Sequence, residues 1–136
     1  MHERIRTALD ISGSEIEIKR LEALFDLPPK DQTIQLFYSR VIPMPDQTSD
    51  PEAWKREHWD ESALSCLSVL GRSSNGIGLL IQSFAGIPYR LCEHLATEFP
   101  ELNCEILIMH EVMHEIRGSF KGGKLSWEGE GIVVDA

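Results

Sequence analysis

Apolar and polar positions alternate almost from the start of the chain. Ile5, Leu9 and Ile11, with Thr7 between them, recur at period two and stop at Ser12-Gly13, which predicts a first strand. Ser14-Glu15-Ile16-Glu17 is a capping-box pattern, in which the Ser14 hydroxyl accepts from a free backbone N–H while Glu17 reaches back. Behind it Ile18, Leu21, Leu24 and Phe25 recur at helical spacing, and Pro28-Pro29 is expected to stop the helix. Residues 33–42 are rich in β-branched and aromatic side chains and read as a second strand running into Pro43-Met44-Pro45. Residues 44–62 are polar, hold Pro45, Pro51, Trp54 and Trp59, and read as a long loop excursion with a helical turn near residues 52–57.

The pattern resumes with a strand at 64–70, a Gly/Ser/Asn turn at 71–76, and Ile77, Leu79 and Ile81 alternating on the return. Pro88 suits the first position of a second helix, where its missing N–H is not needed. Leu91, Leu95 and Phe99 line one face of that helix, with Cys92 and Ala96 beside it, and Pro100 follows its end. Residues 104–109 read as a further strand, and Lys121-Gly122-Gly123-Lys124 as the two-residue turn of a terminal hairpin. The order suits an α+β domain spanning residues 1–136: a ferredoxin-like βαββαβ antiparallel sheet with two helices on one face and an extra C-terminal hairpin strand. The expected core is Ile18, Leu21, Phe25, Leu91, Leu95 and Phe99 against Leu79, Ile81 and Ile106.

Several residues then resemble a known family. Val41-Ile42-Pro43-Met44-Pro45, Trp54 and His58-Trp59-Asp60 are similar to segments of the YubB-like family of plasmid- and phage-borne proteins with a ferredoxin-like domain. Phe99-Pro100-Glu101-Leu102 matches that family's turn after the second helix, and Glu111 with Gly118 matches the spacing of its closing strand motif. The chain departs at Asp60-Glu61-Ser62, where the family carries glycine, threonine and lysine, and at Gly86-Ile87-Pro88, where it carries a tryptophan and a proline pair. The resemblance implies the fold and a setting on mobile genetic elements, and supplies no settled activity.

Charge narrows the choice of partner. The 136 residues carry 22 acids against 13 bases, a net charge of −9, which opposes general affinity for nucleic acid or anionic membrane and favours a basic protein surface. No apolar run approaches the roughly 18 residues of a membrane span, so the expected location is cytoplasmic. Cys66, Cys92 and Cys104 are odd in number and widely spaced, which reads as buried free thiols and not as a disulfide or zinc framework.

Three groups of residues could carry function. Trp54 and Trp59 either cap the core or anchor an interface. The acids Glu93, Glu98, Glu101 and Glu105 surround the second helix and its exit, as a solvated face or as a patch for a basic partner. His110-Glu111-Val112-Met113-His114 is formally H-E-x-x-H, with Glu111 as general base and Glu128 or Glu130 as nominal third ligand. That chemistry needs a helix, whereas a strand would hold the two histidines about 13 Å apart. No G-x-S-x-G, phosphate loop or cofactor motif is present.

The expectation is a non-enzymatic acidic interaction protein of a mobile element, an inhibitor or modulator of a host or competitor protein of the anti-defence (for example anti-CRISPR) or immunity type. Trp54, Trp59, Glu98 and Glu101 are its expected contact residues, and no cofactor is called for. The alternative is a zinc-dependent hydrolase on His110, Glu111 and His114, and a third reading is small-ligand binding or assembly, as a homo-oligomer, on an open sheet face.

Overall fold

Ile5, Thr7, Leu9 and Ile11 turn to one side of a strand that is hydrogen-bonded along both edges, so the first element of the chain lies in the middle of its sheet. The computed structural model describes residues 5–27, 32–36, 38–59, 65–83, 87–110 and 115–128. Along the chain run β1 (Ile5–Ser12), α1 (Glu15–Phe25), β2 (Thr33–Leu36), α2 (Tyr38–Val41), α3 (Pro51–His58), β3 (Ser65–Ser73) and β4 (Gly76–Ser83). They are followed by α4 (Tyr89–Glu98), β5 (Asn103–His110), β6 (Ile116–Lys121) and β7 (Lys124–Glu128). The result is a mixed α+β fold with a seven-stranded sheet in the order β2-β3-β4-β1-β5-β6-β7, every neighbouring pair antiparallel. The strand count exceeds that of the expected ferredoxin-like βαββαβ layout.

One face of the sheet is the core. Leu9 sits between Leu79 and Ile106, and Ile11 between Ile77 and Cys104, all of them buried. Ile18, Leu21 and Phe25 of α1 and Leu91, Cys92, Leu95 and Ala96 of α4 close the same cluster, together with Phe99. Every residue of the expected core is buried. Full burial of one such side chain is worth about 1.5–3 kcal/mol, so these two helix faces hold the layers together. Arg20 adds a polar tie, donating to the Glu98 carbonyl oxygen at 2.6 Å and lying 4.3 Å over the Phe99 ring.

Local chemistry sets several boundaries differently from the sequence pattern. The Ser14 hydroxyl accepts from Glu17 N at 3.3 Å, as the capping box requires, but α1 ends at Phe25, ahead of the prolines. Asp26 takes a left-handed conformation (φ 52°), and the N–H groups of Asp26 and Leu27 then return to Ala23 and Glu22. The expected strand over residues 33–42 is only four residues long before the chain turns helical. Tyr38, Val41 and Ile42 recur at helical spacing and are buried, while the Arg40 guanidinium donates to the Leu24 and Ala23 carbonyls at the end of α1. These tertiary contacts outweigh the strand propensity of the segment. β3 continues past the expected turn to Ser73, with a bulge between Val69 and Gly71, and the turn itself is Ser74-Asn75. Pro88 caps α4 from one position outside it.

The other face of the sheet carries the alternate residues, which are exposed or half-buried. Ala8 lies between Leu80 and Leu107 in the middle row, and Arg117 and Glu128 extend that row outward. One step towards Ser12, Asp10 lies between Gly78 and Glu105; one step the other way, Arg6 lies between Gln82 and Met109. The β6–β7 hairpin turns through Gly122 and Gly123, both at positive φ (61° and 79°), which a two-residue turn of this hand demands. Among the described residues no helix is long and apolar enough to cross a membrane.

Candidate functional site

The excursion at 44–62 is organised by α3. Asp50 starts this helix, its carboxylate accepting from Ala53 N at 3.2 Å, and Pro51 occupies the first turn. Lys55, Arg56 and His58 lie towards the C-terminus, where the helix dipole favours positive charge. Trp54 stacks on His58 at 4.2 Å between ring centroids and meets Trp59 edge to face at 5.5 Å. Trp59 Nε1–H donates to the Ile42 carbonyl at 2.6 Å, and Lys55 Nζ lies 5.6 Å from the Trp59 ring centroid. His58 Nδ1 is 2.9 Å from the Trp54 carbonyl, which can only accept, so the ring carries its proton on Nδ1. Both indoles are half-buried against the core. The excursion folds back, and Trp59 has its polar handle bonded.

Beside this aromatic stack, α3 and α4 border an open groove of about 330 Å³ lined by Ile42, Glu57, His58, Arg90, Glu93, His94 and Thr97. Two Glu-His dipeptides, Glu57-His58 from α3 and Glu93-His94 from α4, meet across it. Sequence reasoning passed over this groove, although the repeated dipeptide was visible and, with the helix faces, would have pointed to it. Arg90 pairs with Glu93 at 3.1 Å, half of each side chain remaining exposed. The lining is polar and solvated, unlike the mostly apolar walls that enclose a small-molecule ligand. One cation, Arg90, already pairs with Glu93 there, while Glu57 borders the groove from α3. Among the described residues no three His, Cys, Asp or Glu side chains gather closely enough to hold a metal ion.

The remaining expected site residues are dispersed. Glu98 lies just beyond Thr97 and leans on Arg20, its carboxylate 3.6 Å from the guanidinium. Glu101 is exposed in the turn after α4. Glu105 does not belong to the helix-side patch: with Cys104 and Ile106 turned into the core, strand alternation puts it on the open sheet face opposite Asp10. His110 is the last residue of β5, in a strand and not on a helix, while Glu111, His114 and Glu130 lie outside the described residues. Glu128 ends β7 on the open sheet face.

Of the thiols, Cys92 and Cys104 are buried as expected, but Cys66 is half-buried, because its strand position falls on the open face. Burial, with Cys92, Asp10 and Glu105 nearby, pushes the Cys104 thiol far above the ordinary range, so it is protonated and unreactive at neutral pH. Compared with known proteins, the chain matches no family model, and neither a curated protein nor a solved structure shows significant similarity to it.

Proposed function

We propose that this chain is a non-catalytic, acidic binding protein of the cytosol that engages a basic surface on a partner protein, one cationic side chain entering the α3–α4 groove between Glu57 and Glu93. The observation that carries this reading is that Glu57 and Glu93 line one groove beside the half-buried Trp54–His58–Trp59 stack. A net charge of −9 adds long-range attraction, which speeds encounter and weakens with salt. Exposed Glu101, and Glu98 beyond its contact with Arg20, extend the negative surface along the exit of α4. The inner strands β3-β4-β1-β5, with α1 and α4 as their crossings, support an expanded ferredoxin-like layout to which β2, β6 and β7 are added. Together with the YubB-like resemblance, this supports a mobile-element inhibitor that occupies the cationic groove of a host or competitor protein.

Affinity capture from a bacterial host, run side by side with the wild-type chain and a Glu57→Lys/Glu101→Lys variant, tests the reading. A basic partner is expected on the wild type, released between about 0.05 and 0.3 M salt and held at least roughly tenfold more weakly by the variant. Equal retention on both proteins, or a partner with no basic surface, would overturn it.

A further inference from the structure

We propose that the open sheet face is the interface of a homodimer, two sheets packing face to face about a two-fold axis that runs across the strands along the row of Ala8. This goes beyond the helix-side groove and uses the opposite side of the sheet.

The charge pattern on this face is the first argument. The middle row is apolar at its centre, Leu80–Ala8–Leu107. The row on one side holds Asp10 and Glu105, and the row on the other holds Arg6. Rotation about the middle row exchanges the flanking rows and keeps each strand over its own copy, so Asp10 of each copy meets Arg6 of the other, and Glu105 meets Met109 beside that Arg6, twice by symmetry. The middle row meets itself: it is apolar at Leu80, Ala8 and Leu107, and at its outer end Arg117 and Glu128 each face their own copy and lie diagonal to the opposite charge. Rotation about an axis along the strands would instead set acid on acid.

Asp10 and Glu105 themselves supply a second argument. They are directly opposed on adjacent strands, an arrangement of like charges that destabilises a sheet unless a cation comes between them. Arg117 and Lys121 of β6 lie diagonally across from Glu105, roughly 8 Å away, whereas the base in the column of Asp10, Arg6, is four residues along β1, about 13 Å away. A second copy brings its own Arg6 over Asp10, the member of the pair farther from the β6 bases.

Overall charge and shape agree. Among the described residues the bases of the face are Arg6, Arg117, Lys121 and Lys124, and its acids are Asp10, Glu105, Glu115 and Glu128. They balance, so the chain's net charge of −9 resides in other residues, and this is the face on which two copies can approach without net repulsion. Gly78 and Ala8 leave a concavity of about 460 Å³, lined by strand residues alone. At its rim the bulge in β3 lifts Leu70 to 52% exposure, in position to cover Cys66 of the other copy. Seven strands of four to nine residues, about seven on average, at 4.8 Å spacing give a projected face of roughly 700–800 Å², an upper limit for the contact and close to the ~800 Å² per partner of a stable complex.

Sedimentation velocity on the full chain at about 1–100 µM tests the proposal. The wild type is expected to run at twice the 15.4 kDa chain mass. Arg6→Asp and Asp10→Arg should each weaken the dimer at least tenfold, by placing like charges together, while the double exchange should restore it to within about threefold. Circular dichroism establishes that each variant is folded, and Cys66 should react with a thiol reagent more slowly as dimer accumulates. A wild-type monomer throughout this range would overturn the proposal, including one whose Cys66 is protected by another part of its own chain. So would a dimer that ignores both substitutions or that the double exchange fails to rescue.

Discussion

Adding a single methyl group at Gly118 should unseat the last strand. Gly118 is buried in β6 beneath the indole of Trp127, its partner on β7. A Cβ there would lie 2.7 Å from Trp127 Cζ3, closer still to Cε3, and 3.0 Å from the Ser126 carbonyl oxygen. Carbon atoms settle at about 3.5–4.0 Å, so the ring must retreat by roughly 1 Å. It is not free to do so, because its edge-to-face contact with Tyr89, at 5.2 Å and 85°, ties β7 to the first turn of α4. The retreat forfeits that contact, worth about 0.5–1.5 kcal/mol, and loosens the packing around it. A total loss of about 1–3 kcal/mol in urea unfolding is expected for Gly118→Ala. In a Trp127→Ala background the same substitution should cost less than about 0.5 kcal/mol, since the obstructing ring is gone. Equal costs in the two backgrounds would refute the steric explanation.

Two further outcomes are expected. Leu95→Ala, at a fully buried position on the inner face of α4, should cost about 2–5 kcal/mol by chemical denaturation, and a loss below about 1 kcal/mol would mean that the face is not the core. Cys104 has its folded-state pKa raised, so above about pH 9 the unfolded thiol ionises while the folded one keeps its proton. Stability should therefore decline from that pH upward by at most about 1.4 kcal/mol per pH unit from this group, and Cys104→Ala should flatten the decline.

The parts legible in the sequence are those in which local chemistry and burial agree. Ser14 with Glu17, followed by Ile18, Leu21 and Phe25, specifies both the start and the inner face of α1, and the structure has both. Gly122-Gly123 specifies the hairpin in the same way. Tyr38–Val41 was illegible because its β-branched and aromatic composition favours a strand, while the deciding contacts, Arg40 with the carbonyls of α1, come from residues 16–17 positions away. The candidate site failed similarly. Trp59 is positioned by the Ile42 carbonyl and Glu98 by Arg20, neither of them a sequence neighbour. Glu105 looked like a neighbour of the helix acids along the chain, but strand alternation sends it through to the far side of the sheet. Gly118 is a motif position that the structure explains, since only a residue without Cβ fits beneath Trp127.

The central place of β1 has a consequence for how the protein is made. Ile5 leaves the ribosome well ahead of its two partners, Ser83 on β4 and His110 on β5. At about 5–20 residues per second, β1 waits roughly 4–16 seconds for its first neighbour and longer for its second. Throughout that interval an apolar strand has both edges unpaired, open to chaperones and to other nascent chains. Productive pairing then closes loops of some 70 to 100 residues, which places the protein among slow folders dominated by non-local contacts. Synthesis rate and chaperone supply should therefore govern its soluble yield more than its final stability does.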